Sequence, residues 1–125
     1  MTPVTSTHYL SADDILGAVD LPAEDVDVPE WGGKVRVRGL TGAERDKFEA
    51  AFAAAGKDKA KGYEMVRARL AAACVVDENG KRLFQGDAVT RRLGEKSAVA
   101  LNRVFEVASR LSGLSEDDVE ELAGN

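Results

Sequence analysis

The feature that most narrows the fold is the stretch Val26-Asp-Val-Pro-Glu-Trp31-Gly-Gly-Lys-Val35-Arg-Val-Arg38, two alternating apolar-polar segments on either side of a Gly-Gly pair. Side chains alternate faces along a strand, and paired glycines accept the positive dihedrals of a tight turn, so the stretch predicts a β-hairpin. Folding at Gly32 and Gly33 sets Val28 opposite Val37 and Asp27 opposite Arg38, giving one valine face and one charge ladder. Pro29 has no N–H for a ladder, so its strand belongs at a sheet edge. A lone hairpin is marginal in water, so helices must cover the valine face.

The rest of the chain supplies helices. Ser11 is placed to cap a short helix with Asp13 and Asp14 in its first turn and Ile15, Leu16 and Val19 along one side, ending before Pro22. Thr41-Gly-Ala-Glu44 has the capping-box spacing and starts a helix running to about Ala55 with Phe48 and Phe52 on one face. Beyond a polar linker at Lys57 to Gly62, the residues Tyr63, Val66, Leu70, Ala73 and Cys74 repeat at helical spacing and predict an amphipathic helix facing Phe48 and Phe52. Val75-Val76 and Leu83-Phe84 flank Asn79-Gly80, a type I′ turn signal, for a second short hairpin or a plain loop. Asp87 is a candidate cap for a helix ending at Leu93, with Gly94 as its stop. The strongest apolar stripe follows in Leu101, Val104, Phe105, Ala108 and Leu111, closed by Gly113. Ser115 and Asp118 open a last short acidic helix. The expected fold is α+β and mainly α-helical: an N-terminal hairpin packed on an antiparallel helical bundle, with residues 1–10 a flexible tail and 11–125 one domain.

At 125 residues with 44% apolar and 31% charged side chains, the chain suits one folded core. No apolar run is long enough to cross a bilayer and the start has no signal-peptide pattern, so a cytoplasmic protein is expected. Every Lys and Arg lies between Lys34 and Arg110, within a net charge of −5, leaving acidic ends around a basic middle. Those ends either fold back onto the middle or serve solubility with local pairing; the second is preferred.

Chemistry-bearing patterns are sparse. His8 stands alone in the tail, and Cys74 sits on an apolar stripe without a basic neighbour, so neither metal binding nor thiol catalysis is expected. The glycines do not form a phosphate-cradling motif, and the acid pairs fall at helix starts and turns. No cofactor and no enzymatic activity are implied. Lys57, Lys59, Lys61, Arg67, Arg69, Arg91 and Arg92 could form a nucleic-acid footprint. Interleaved acids and scarce aromatics make solvated helix faces the better reading, and neither nucleic acid nor membrane is expected as a partner. Trp31, beside the turn, is either an exposed protein-binding anchor or a tip folded over a helix; packing is preferred.

Taken together, Val28-Pro-Glu-Trp-Gly-Gly-Lys-Val-Arg-Val-Arg38, Leu40-Thr-Gly-Ala-Glu-Arg-Asp46, Phe48-Glu49, Cys74-Val-Val-Asp-Glu-Asn-Gly-Lys-Arg-Leu-Phe84, Leu93-Gly-Glu-Lys96 and Arg110-Leu-Ser-Gly-Leu114-Ser resemble the tail assembly chaperones of long-tailed bacteriophages and prophages. The resemblance spans the chain from about Asp25 onward, and its motifs are structural. It implies an assembly factor absent from the finished particle. Such a factor coats the helical tape measure protein, keeps it soluble and helps recruit major tail tube protein, with self-association favoured by multivalent coating. Many members also occur in a longer, frameshifted form. The expected docking site is a groove between the helices at Tyr63 to Cys74 and Leu101 to Leu111, formed by Tyr63, Val66, Leu70, Leu101 and Phe105, with Trp31 and Phe84 at its rim. A structural tail or connector subunit and a bacterial adaptor or regulatory domain are the alternatives.

Overall fold

The computed structural model describes residues 8–54 and 65–114. Among them, five helices dominate and a three-stranded antiparallel sheet completes an α+β fold. Helix α1 (Ala12–Gly17) leads into β1 (Ala23–Val28), a 3-10 turn (Pro29–Trp31), β2 (Gly33–Arg38) and α2 (Gly42–Ala53). Then come α3 (Val66–Cys74), β3 (Val75–Val76), α4 (Asp87–Leu93) and α5 (Ala98–Leu111). Tyr63, the linker at Lys57 to Gly62 and the acidic segment from Ser115 lie outside the described residues.

The hairpin forms with a different register. Pro29 to Trp31 make the turn and Gly32 closes it in the left-handed region at φ 81°, so the chain reverses earlier and Val28 pairs with Gly33 instead of Val37. Asp27 accordingly faces Lys34, and Asp25 faces Arg36. The slip is an even number of positions, so each side chain stays on its expected face. Val26, Val28 and Val37 are buried on one side, while Arg36 Nε donates to Asp25 Oδ1 at 3.0 Å on the other. The strand order β1-β2-β3 leaves the strand leading into Pro29 at the edge.

The second hairpin signal serves the same sheet. Val75 and Val76 pair with Val37 and Arg36 of β2, and the chain returns through a single bridge between Val76 and Arg82. The turn is not type I′, because Asn79 does not adopt a positive φ. Asp77 shapes it instead: its carboxylate accepts from the backbone of Asn79 and Lys81, its carbonyl accepts from Gly80, and Gly80 takes the left-handed position at φ 85°. That is a type I turn followed by a glycine bulge.

Helix ends follow side-chain chemistry closely. Ser11 with Asp14 and Thr41 with Glu44 both form reciprocal capping boxes, and Ser97 caps α5 by accepting from Ala100 N. Gly113, at φ 73°, ends α5 in a Schellman motif: Leu114 N donates to Ser109 O, Gly113 N to Arg110 O, and Leu114 tucks into the core. Helix α4 ends at Leu93 with Gly94 as its C-cap, as expected, but its start differs. Gly86 is its N-cap, with Asp87 inside the first turn, and Gly94 is right-handed at φ −64°. A Cβ at Gly94 would lie 2.8 Å from the sulfur and methyl of Met65, the end of a flexible side chain that can turn away.

The core lies between the sheet and the helices. Valines of the sheet meet Leu101, Val104 and Ala108 of α5, with α3 packed beside it; Leu70, Val28, Val37, Val75, Val104 and Cys74 are essentially inaccessible. Each such aliphatic side chain contributes about 1.5–3 kcal/mol by leaving water. Phe48 and Phe52 of α2 join the same core, edge to face at 5.2 Å between centroids. Ser112 knots three elements, accepting from Leu40 N at 3.0 Å and lying 3.8 Å from Cys74 Sγ. The acids of the first third reach across the chain rather than pairing only locally: Arg103 binds Glu30 in a two-pronged pair and Arg110 binds Glu24 likewise.

Candidate functional site: two open grooves

The expected groove between α3 and α5 is filled. Val66 and Leu70 are buried core residues, as are Ala68, Ala71 and Ala72, so α3 is apolar on most of its circumference rather than amphipathic. Its small alanines let α5 approach, and Leu101 is buried in the contact. At the surface, Arg67 seals the junction: its guanidinium carbon sits 5.4 Å from the Phe105 ring centroid and its Nε donates to Asn102 Oδ1 at 2.8 Å. No partner helix can enter there without unfolding the core.

The two rim residues do come together, in another place. Trp31 from the hairpin turn and Phe84 from the loop after β3 line an open groove of about 730 Å³ with Val89 and Leu93 of α4. Both aromatics are half-buried and rest against the core, so Trp31 folds back instead of standing free at the tip. Glu30, Arg92, Glu95 and Lys96 form the polar border, with Glu30 already held by Arg103 at 2.7 Å. That pairing holds the Glu30 carboxyl down at about 2. The Trp31 indole N–H is buried and has no acceptor among the described residues.

A second groove, about 320 Å³, lies between α2, α3 and α4. Its floor is apolar, from Phe48, Met65 and Ala72, and four cations surround it: Lys47, Arg69, Arg82 and Arg91. Glu44 and Asp87 also line it; Glu44 is engaged by Arg38, whose two guanidinium nitrogens donate to the carboxylate at 2.7 and 2.8 Å. Arg82 is held in place by donating to the carbonyls of Ala72 and Phe84. The basic residues singled out in the sequence are thus dispersed: Arg69 and Arg91 face this groove, Arg92 borders the aromatic one, and Arg67 covers Phe105. Lys47 and Arg82 were missed, because only the tertiary fold carries α2 and the loop after β3 to the same place.

Cys74 is buried, and burial pushes its thiol up to about 11, which keeps it protonated and inert at neutral pH. His8 is exposed, 3.9 Å from Asp14. Among the described residues no cluster of three potential metal ligands occurs, and no helix is long and apolar enough to cross a membrane. Compared with models of protein families, with characterised proteins and with solved structures, the chain matches none.

Proposed function

We propose that this chain is a holding protein: a tail assembly chaperone of the long-tailed phage type, acting in the host cytoplasm. It binds the tape measure protein, keeps it soluble, and helps recruit major tail tube protein before leaving the particle. The observation that carries the reading is the aromatic groove, where Trp31 and Phe84, far apart in sequence, line one cleft with Val89 and Leu93 inside a charged border. An apolar centre with a polar rim is the anatomy of a protein-docking surface, and aromatic anchors dominate binding energy at such surfaces. The groove has room for one or two apolar anchor side chains of an amphipathic helix, which suits many weak, reversible contacts along a long partner. The resemblance in Val28 to Asp46 and Cys74 to Phe84 supplies the partner's identity; both stretches help to build this groove.

The test is co-expression with the long helical protein encoded beside this chain, scoring the partner's solubility and co-purification. The unmodified chain is expected to rescue the partner. Phe84→Ala and Trp31→Ala, which remove the aromatic lining of the groove, are expected to weaken rescue while the thermal melt stays cooperative. An insoluble partner with no complex, or full rescue by both variants, refutes the groove as the docking site. Finding the chain in purified particles makes it a structural subunit instead.

A further inference from the structure

Of the eight large apolar side chains exposed among the described residues, six fall between Tyr9 and Leu21: Tyr9, Leu10, Ile15, Leu16, Val19 and Leu21. They ride on and around α1, which buries none of its own residues. A segment that lacked any partner would have little reason to hold an ordered helix with a complete capping box and an apolar side, because a six-residue helix is not stable alone in water. The segment is also purely acidic, with Asp13, Asp14 and Asp20 and no Lys or Arg before Lys34.

The basic groove is its complement. It offers an apolar floor of Phe48, Met65 and Ala72, ringed by Lys47, Arg69 and Arg91, with Asp87 and the Arg38-bound Glu44 as the acids on its lining, so positive charge is in excess. Arg69, on that lining, has its Nη1 buried without a hydrogen-bond partner among the described residues. Lys47 and Arg91, both exposed, form no ion pair within the described part of the chain. Excess positive charge around apolar floor calls for an acidic, amphipathic segment, and Tyr9 to Leu21 is one.

We infer that the arm Tyr9–Leu21 of one copy docks in the basic groove of a second copy, Leu16 and Val19 on the floor and Asp13 and Asp20 toward Lys47 and Arg91. In this structure the arm buries none of its residues; its root, Asp20 and Leu21, lies beside Leu40 and Thr41, and Gly39 N donating to Pro22 O at 2.9 Å fixes the chain there. Exchange of an arm between copies requires no refolding of either body, and reciprocal exchange closes a two-fold dimer that uses both arms and both grooves. The inference stands apart from the aromatic groove and its partner.

Sedimentation velocity of the full chain over about 1 to 200 µM measures the dimer. Dimerisation is expected to weaken as salt rises from about 0.05 to 0.5 M. Leu16→Asp with Val19→Asp should raise the dissociation constant at least about tenfold. A charge exchange decides the pairing. Lys47→Glu with Arg91→Glu, and separately Asp13→Lys with Asp20→Lys, should each be monomeric alone and form a heterodimer when mixed, since every arm then meets an opposite groove. All four substituted positions are exposed, so folding is preserved and is checked by circular dichroism. A wild-type chain that stays monomeric throughout, a dimer indifferent to the arm substitutions, or a mixture without heterodimer overturns the inference; the first outcome, with the arm protected in the wild-type chain, indicates docking within one copy.

Discussion

Glu44 shows how much one side chain can hold. Its carboxylate accepts from Thr41 N at 2.9 Å to close the capping box of α2, and at the same time takes both guanidinium nitrogens of Arg38, tying the end of β2 to the start of α2. The Arg38 pairing, helped by the Thr41 backbone, lowers the Glu44 pKa from its usual 4.5 to about 2. A carboxyl depressed by folding contributes stability that is complete above about 4.5 and is lost as pH falls toward about 2. Glu44→Gln keeps a capping-box side chain but removes the charge. It is expected to cost about 1–2 kcal/mol at neutral pH, after discounting for partial solvent screening, with the difference from wild type vanishing at the acid end of that window. Urea unfolding across the acid range measures both.

Among the elements, the junction of β2 with the end of α5 tolerates the least change. Gly39 lies so close to α5 that an added Cβ would sit 2.4 Å from Leu111 O and 3.1 Å from Leu111 C, both backbone atoms that cannot swing aside. Gly39→Ala is therefore expected to push β2 off the helix, break the bond from Leu40 N to Ser112, and cost at least about 2 kcal/mol by urea unfolding. The hairpin teaches a related lesson about register. The Gly-Gly pair and the valine alternation were visible in sequence and gave the right faces. The pairing partner was not, because Pro29 to Trp31 form the turn and Trp31 packs against the core, an energy that belongs to residues distant in sequence.

For the whole molecule, stability and association reside in different parts. The body is a sheet of three strands with α3 and α5 packed on it, stapled across the surface by Arg103 to Glu30 and Arg110 to Glu24. The arm contributes nothing buried to that body. Removing residues 1–19 is expected to leave the thermal midpoint of a dilute sample within about 2 °C of wild type, by calorimetry, while abolishing concentration-dependent stabilisation.

Local chemistry was enough to find what depends on neighbours in sequence. Ser11 and Thr41 cap helices by reaching donors a turn away, Gly113 ends α5 through a positive φ, and the stripe Leu101, Val104, Ala108 faces the core because helical spacing aligns it. The mainly helical α+β class followed from those signals. Only the tertiary structure decided which apolar faces meet each other and which meet solvent. It closed the α3–α5 groove over Val66, Leu70 and Leu101, because alanines on α3 allow close approach, and it left the equally apolar Leu16 and Val19 outside. It also brought Trp31 beside Phe84, and Lys47 beside Arg69, Arg82 and Arg91. Periodicity reports that a face is apolar; what covers that face depends on the packing of distant segments, which is a property of the folded chain.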